Sequence, residues 1–135
     1  MNSPIYLVTG ATGYVGGRLV RTLLDNQYQV RVLVRDQHKV IGQSWADEVE
    51  IVEGNAHNRS DLDKALIGVH TAYYLLHSIN LGKDFDEIEA QMARTFAQAA
   101  EAAHVKQIVY LGGIANDKKT SKHLPSWATC LSCMI

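Results

Sequence analysis

The sequence predicts an α/β protein built on a doubly wound parallel sheet of five strands. Short apolar runs rich in strand-forming residues alternate with longer stretches in which apolar residues recur every three or four positions. This alternation is typical of parallel strands joined by right-handed crossovers, with helices on both faces of the sheet. The expected strand order is 3-2-1-4-5. With 135 residues, 47% of them hydrophobic, the chain is long enough for one domain with its own core.

The first strand and the first helix are joined by a glycine-rich turn. Residues 5–8 form a short apolar run, as expected for a strand covered on both faces. From Tyr14 the period changes, which predicts a helix with one apolar face and one charged face. The predicted apolar face consists of Val15, Leu19, Val20, Leu23 and Leu24, and the charged face of Arg18, Arg21 and Asp25.

The remaining elements continue the alternation. Residues 60–68 predict a short helix that begins with Ser60 as its N-cap and closes at Gly68. Residues 84–104 predict the longest helix, with an apolar face that packs on the sheet. That face comprises Phe85, Ile88, Met92, Phe96, Ala99 and Ala103. Further apolar runs predict strands at residues 29–34, 48–53, 70–76 and 106–111.

The turn after the first strand carries Gly10, Gly13 and Gly16 in the spacing Gly-x-x-Gly-x-x-Gly. A pyrophosphate needs outward-pointing N–H groups and an approach that no Cβ blocks, and a helix N-terminus after a glycine turn supplies both. We expect Gly10 to allow a sharp turn, Gly13 a close approach of the phosphates, and Gly16 a close helix–strand contact. Thr12 adds a hydroxyl for a phosphate oxygen.

The context of this glycine pattern indicates a dinucleotide site. The pattern follows a predicted strand and opens a predicted helix, and a second predicted strand ends about twenty residues further on. An ordinary strand–helix turn with additional glycines is the alternative.

Arg35 and Asp36 follow directly on the second predicted strand, where the adenosine ribose lies in a dinucleotide site. An arginine pairs with the 2′-phosphate of NADP, whereas an acidic residue accepts hydrogen bonds from the ribose hydroxyls of NAD. Because Arg35 comes first, we predict NADP as the cofactor. NAD is the alternative that Asp36 supports, and two solvated loop charges are the alternative without a ligand.

Residues 9–16, Thr-Gly-Ala-Thr-Gly-Tyr-Val-Gly, resemble the N-terminal motif of short-chain dehydrogenase/reductase proteins. They are most similar to the extended and atypical branches, which include NmrA-like regulators and nucleoside-diphosphate-sugar epimerases. The resemblance extends from about Ile5 to about Ala115. It implies a Rossmann domain that binds NAD(P) at the glycine turn, with Tyr14 and Val15 among the contacts.

The resemblance also implies contacts at the ends of the third and fourth strands. In the family the third strand usually ends in an aspartate that meets the adenine, and here Asn55 stands in that place, followed by Ala56. An amide can both donate to and accept from the adenine edge. Leu76 and His77, after the fourth strand, are implied to lie near the nicotinamide-side ribose. We expect His77 to line the cofactor without catalysing, since no carboxylate is visibly placed to orient it.

Catalytic members of this family carry a serine after the fifth strand and, beyond it, a tyrosine with a lysine four residues later. The lysine and the cofactor ribose lower the pKa of the tyrosine so that it exchanges a proton with the substrate. Here Gly112 and Gly113 stand in the place of the serine, and none of the six tyrosines has a lysine four residues on. We therefore predict no catalytic residue in this chain.

Two functions stay open at this point. The first is the NAD(P)(H)-binding domain of an atypical oxidoreductase or epimerase, and the second is an NmrA-like protein that senses dinucleotides without turnover. The substrate of the first is unspecified. A fragment that folds only marginally is a third, simpler alternative.

The resemblance stops near residue 115. We predict an NAD(P)-binding domain of residues 1–115 and an irregular tail of residues 116–135, and we expect the C-terminal part of the fold to be missing. Residues 125–135 carry no charge, which fits a shifted reading frame or a fragment better than the charged helix of the family. Cys130 and Cys133 lack the second ligand pair of a tetrahedral zinc site, so no metal is predicted.

The charges of the chain are mixed, with a formal net charge of −1. No basic face for nucleic acid or an anionic membrane is evident. The sequence shows neither a secretory signal nor an apolar run of membrane-spanning length, so we expect a cytoplasmic protein. A homodimer through the long helix is the alternative to packing that helix on the core.

Overall fold

The computed structural model describes residues 4–75 and 85–110, except for the side chains of residues 85–90. The framework of these residues is a five-stranded parallel sheet. The strands lie in the order β3-β2-β1-β4-β5, and every neighbouring pair is parallel. The predicted fold class and the predicted strand order 3-2-1-4-5 are confirmed. The strands are β1 (Ile5–Thr9), β2 (Gln29–Val34), β3 (Glu50–Glu53), β4 (Val69–Tyr74) and β5 (Gln107–Tyr110).

Helices cover both faces of this sheet. On one face lies α1 (Tyr14–Asp25), and on the other lie α2 (Arg59–Ala65) and α3 (Phe85–Ala102). Leu7 and Val8 of β1 are both fully buried, but they belong to different core clusters. Successive side chains of a strand point to opposite faces of the sheet. The sheet is therefore doubly wound, as predicted.

The predicted apolar face of α1 is correct except at its first turn. Val20 and Leu23 are buried, whereas Val15 is 47% exposed. Helical side chains lean toward the N-terminus, so a first-turn residue leans past the carboxyl end of the strand and not onto the sheet. The prediction that Val15 joins the core face is wrong for this reason.

The start of α2 differs from the prediction by two residues. Asn58, not Ser60, is the N-cap, and its Oδ1 accepts a hydrogen bond from the Ser60 N–H at 2.9 Å. Asn and Ser are about equally good N-caps, so composition alone does not choose between them. The helix ends at Ala65, with Leu66 as its C-cap, and Gly68 lies in the turn before β4.

The face of α3 that was predicted to pack on the sheet does so wherever its side chains are described. Met92, Phe96 and Ala99 are at most 8% exposed. The ring of Phe96 meets that of Tyr74 from β4 edge-on, with ring centroids 4.9 Å apart. Core packing is therefore confirmed for these residues. Whether the chain forms a homodimer stays a prediction. Of the other predicted positions, Ala103 is partly buried, and Phe85 and Ile88 belong to the residues whose side chains lie outside the description.

The connection between β2 and β3 covers part of the sheet on the α1 side. It contains two short 3-10 turns, Gln37–Lys39 and Ala46–Glu48. Between them, Val40 and Trp45 are almost fully buried in the same cluster as α1. These two side chains are the reason that an otherwise polar connection stays on the sheet.

Arg31 is a buried cation in β2, only 7% exposed. Its Nε donates to Glu50 Oε2 at 2.9 Å on the neighbouring strand β3. Its Nη1 donates to the carbonyl oxygens of Ala65 at 2.7 Å and Ile67 at 2.6 Å. One side chain thus satisfies the carbonyl of the last residue of α2, which a helix leaves without an internal partner, and a carbonyl of the turn that follows. The role of Arg31 is structural.

Replacing Arg31 by alanine is expected to lower the free energy of unfolding by about 2–4 kcal/mol. The variant leaves the carbonyls of Ala65 and Ile67 without their charged donor. Urea unfolding followed by circular dichroism measures the change. The matched control is Arg59→Ala, which removes an exposed pair with Asp63 and is expected to cost about 0.5 kcal/mol or less. Equal effects of the two substitutions would contradict this role for Arg31.

No helix within residues 4–75 and 85–110 combines the length and the apolar character that crossing a bilayer requires.

Candidate functional site

A cleft of about 380 Å³ opens at the carboxyl ends of β1, β2 and β3. In doubly wound sheets, ligands bind at this edge, where the chain connections diverge to either side of β1. The cleft is lined by the turns that follow the three strands and by one side chain of α3, Met92. Of the residues predicted to bind the cofactor, it brings together Gly10, Thr12, Arg35, Asp36, Asn55 and Ala56.

The glycine turn has the backbone geometry that the sequence predicts. Gly10 has a φ of +76°, a conformation that residues with a Cβ rarely adopt. A Cβ added to Gly16 would lie 2.1 Å from the carbonyl oxygen of Gly10, so only glycine allows α1 to approach the turn this closely. The N–H of Gly13 donates to the same oxygen at 3.1 Å. This N–H is therefore engaged within the turn.

The N-terminus of α1 carries no capping side chain. Its N-cap is Gly13, and its first turn contains no acidic residue. The first N–H groups of a helix have no partner inside the helix, and the helix dipole makes this end attractive to anions. The turn therefore presents the donors that a phosphate group needs.

Tyr14 and Val15 lie on the first turn of α1 and are 75% and 47% exposed. The Tyr14 ring packs against the Arg18 guanidinium, whose carbon is 4.4 Å from the ring centroid. As far as the described residues define it, the lining of the cleft includes neither residue, nor Gly13, nor Gly16. The cofactor contacts predicted for these four residues therefore stay predictions.

Thr9 joins the ends of β1 and β4 directly beneath the glycine turn. Its side chain is buried, its hydroxyl donates to the carbonyl oxygen of Tyr73 at 2.8 Å, and its Oγ1 accepts from the Leu75 N–H at 3.3 Å. Sequence reasoning missed Thr9. The available signal was a hydroxyl residue at the end of an apolar strand, immediately before Gly10.

The turn after β2 places two cations at the cleft. Arg35 and Lys39 both line it, and within residues 4–75 and 91–110 neither forms an ion pair. Asp36 also lines the cleft, but its Oδ1 accepts the His38 N–H at 2.9 Å and caps the turn Gln37–Lys39. Lys39 is the last residue of this turn and lines the cleft, a placement that the sequence did not predict.

The turns after β2 and β3 are tied to one another. The Gly54 N–H donates to the carbonyl oxygen of Val34 at 2.8 Å. The Gln37 N–H donates to Glu53 Oε2 at 3.1 Å. Two backbone donors, one from each turn, thus hold this side of the cleft in place.

The side chain of Asn55 is partly engaged within its own turn. Its Oδ1 accepts the His57 N–H at 2.9 Å, and its Nδ2 group forms no hydrogen bond with the residues that the structure describes. His57 lines the main cleft and also a smaller one of about 220 Å³. The smaller cleft is completed by three residues of α3: Gln91, Met92 and Thr95.

Several predicted residues lie outside the described part of the chain. They are Leu76, His77, Gly112, Gly113, Cys130 and Cys133. The domain boundary predicted at residue 115 and the tail of residues 116–135 also lie outside it. Within the part that is described, no three His, Cys, Asp or Glu side chains come together as a metal site would require.

The sequence profile of the NmrA-like family matches residues 2–130, nearly the whole chain. The chain belongs to the NmrA-like family. The predicted resemblance is confirmed, and the cleft described above lies inside the matched region.

The proteins similar to this chain include a reductase and two proteins whose structures contain a bound nicotinamide cofactor. The ceramide reductase of Caulobacter vibrioides is 30% identical over 125 residues, which are 90% of this chain and 39% of that protein. The NADPH-dependent quinone oxidoreductase of Escherichia coli, solved with NADPH, is 27% identical with a TM-score of 0.63, covering 78% of this chain and 35% of that one.

A third similar protein was solved with the other nicotinamide nucleotide. It is a short-chain dehydrogenase/reductase superfamily protein of Agrobacterium tumefaciens with bound NAD, 25% identical with a TM-score of 0.65, covering 78% of this chain and 31% of that one. The chain thus spans between 31% and 39% of the length of these three proteins.

Two adjacent glycines of α1 are expected to respond in opposite ways to an added methyl group. Gly16→Ala forces the helix away from Gly10 and is expected to lower the free energy of unfolding by about 3 kcal/mol. A Cβ on Gly17 would lie 3.6 Å from the Ala11 carbonyl oxygen, an ordinary contact. Gly17→Ala is therefore expected to stabilise by about 0.5–1 kcal/mol through helix propensity.

Thermal and urea unfolding of the two variants measure this difference. If Gly16→Ala were tolerated as well as Gly17→Ala, the close contact between α1 and the turn would not hold the first strand and helix together.

Proposed function

We propose that this chain binds NADP(H) through its dinucleotide cleft, with the pyrophosphate at the first turn of α1 and the adenosine half beside Arg35 and Asn55. The observation that carries the proposal is the cleft at the carboxyl edge of the sheet, which is lined by two cations and by the glycine turn that leads into the uncapped N-terminus of α1. The E. coli and A. tumefaciens proteins, solved with NADPH and NAD, support a nicotinamide dinucleotide as the ligand class.

The preference for NADP rests on the charges around the ribose end of the cleft. A 2′-phosphate carries up to two negative charges, and an arginine can bind it through two parallel hydrogen bonds. Lys39 adds a second positive charge on the same turn as Arg35. Asp36 is the residue that would favour NAD, but one of its oxygens is engaged with the His38 N–H. The balance of charge favours the phosphorylated cofactor.

Separate titrations with NADPH and NADH test this proposal. We expect NADPH to bind more tightly, and Arg35→Ala to abolish the preference by weakening NADPH binding about 10- to 100-fold, with little effect on NADH. Lys39→Ala is expected to have a smaller effect in the same direction, since lysine acts as a point charge. Quenching of tryptophan fluorescence provides the binding signal.

Arg59→Ala and Lys64→Ala are the matched controls, because both residues are exposed cations on α2 outside the cleft lining. They should leave both affinities unchanged. Equal affinities of the unmodified chain for NADPH and NADH would refute the assignment of Arg35 and Lys39. Binding of neither nucleotide would refute the proposal as a whole.

As its activity, we propose that the chain is the cofactor-binding part of an atypical short-chain oxidoreductase or epimerase without the usual Tyr–Lys pair. The ceramide reductase supports this class, at 30% identity. Bound NADPH would supply a hydride for a carbonyl substrate, and the described residues would bind and orient it.

A second candidate is a protein that senses NADP(H) without turnover. Within the 135 residues no tyrosine has a lysine four residues on, and a sensing function requires no such pair.

Turnover distinguishes the two candidates. The purified chain is mixed with NADPH and a panel of aldehydes, ketones and quinones, and the absorbance of the reduced cofactor is followed. Sustained oxidation above that of the heat-denatured chain would refute the sensing function. Saturable binding without oxidation across the panel would favour it over the reductase.

A further inference from the structure

Asp61 of α2 contacts the turn after β3 at Asn55, six residues earlier in the sequence. Its Oδ2 accepts the backbone N–H of Asn55 at 2.9 Å. A hydrogen bond from an N–H group to a carboxylate is stronger than one between neutral groups. The contact therefore ties the first turn of α2 to the segment that lines the cleft.

The backbone of this turn is shaped around the Asp61 side chain. A Cβ added to Gly54 would lie 2.9 Å from the Asp61 Cβ and 3.0 Å from its Cγ. Only the absence of a side chain at residue 54 allows the carboxylate to reach Asn55. Glycine and aspartate are thus complementary parts of one contact.

The residues on the cleft side of this contact include Asn55, which is predicted to meet the adenine, and Ala56, which is predicted to bind the cofactor. Gly54, Asn55, Ala56 and His57 all line the main cleft. Within the turn, the Asn55 side chain accepts the His57 N–H and the Asn55 carbonyl accepts the Asn58 N–H. From outside, Gly54 is bonded to the Val34 carbonyl, and Asp61 is the partner of the Asn55 N–H. Loss of the Asp61 contact would let the Asn55 backbone, and with it the donor group of its side chain, leave its position.

We propose that Asp61 is a positioning residue for the adenosine half of the dinucleotide. Its carboxylate holds the turn of residues 54–57 in the conformation that binds the base, without touching the ligand. This inference rests on the proposed function. Asp61 lies outside the cleft lining, and we expect it to control the affinity for the adenosine half of the cofactor but not for the nicotinamide half.

The test compares the two halves of the cofactor. Affinities are measured for NADPH, for 2′,5′-ADP as the adenosine half and for reduced nicotinamide mononucleotide as the other half. Asp61→Ala is expected to lower the affinities for NADPH and for 2′,5′-ADP about tenfold, because the supporting turn loses one charge-assisted hydrogen bond. Binding of the nicotinamide half should stay unchanged.

Two further variants separate positioning from general stability. Asp61→Asn keeps an oxygen that can accept the Asn55 N–H, so it should restore affinity to within about threefold of the unmodified chain. Asp63→Ala is the matched control, because Asp63 lies on the same helix and forms an exposed pair with Arg59. It should leave all three affinities unchanged.

Gly54→Ala disrupts the same Asp61–Asn55 hydrogen bond, because the added methyl group would displace the Asp61 side chain. If Asp61→Ala does not fold, this variant is used in its place. It should reproduce the selective loss for 2′,5′-ADP. Unchanged binding of 2′,5′-ADP by these variants, or an equal loss for both halves, would overturn the role of Asp61 while the unmodified chain still binds NADPH. Failure of the unmodified chain to bind NADPH would refute the proposed function instead, and this inference with it.

Discussion

The close contact between α1 and the carbonyl group of Gly10 is the constraint on which the site depends. A single methyl group at residue 16 would lie 2.1 Å from that oxygen, so the helix backbone reaches the end of β1 only because no side chain intervenes. The approach brings the helix N-terminus to the carboxyl edge of a parallel sheet. The Thr9 hydroxyl links the same end of β1 to the end of β4 through two hydrogen bonds. We propose that the phosphates of the ligand bind at this edge, where the first N–H groups of the helix have no partner inside the helix.

The distribution of charge around the cleft follows from how its turns are held. Asp36, Glu53 and Asp61 each accept a backbone N–H in or beside the turns that line it. The carboxylates thus serve the local structure, while Arg35 and Lys39 form no ion pair within the described residues. The carboxylates are occupied by backbone N–H groups, and the two cations line the cleft. This distribution of charge is the basis on which we propose a phosphorylated dinucleotide as the ligand.

The agreement between sequence and structure is best where a local pattern carries the information. The glycine spacing predicts both the turn at Gly10 and the close approach at Gly16, because each follows from the lack of a Cβ at that position. Apolar periodicity predicts the buried face of α3. It fails at Val15, because periodicity describes an ideal helix and not where the strand beneath it ends. It also does not distinguish Asn58 from Ser60 as an N-cap, since both residue types cap equally well.

The sequence by itself determined the class of fold, the glycine turn and the family, because each depends on patterns of residues close together in the chain. The order of the strands followed from the fold class. Only the tertiary structure decided that Thr9 bridges two strands, that Lys39 reaches the cleft and that Asp61 supports Asn55. These contacts depend on distances between turns that follow different elements. Such distances are set by the packing of the whole sheet and its helices, and no short stretch of sequence records them.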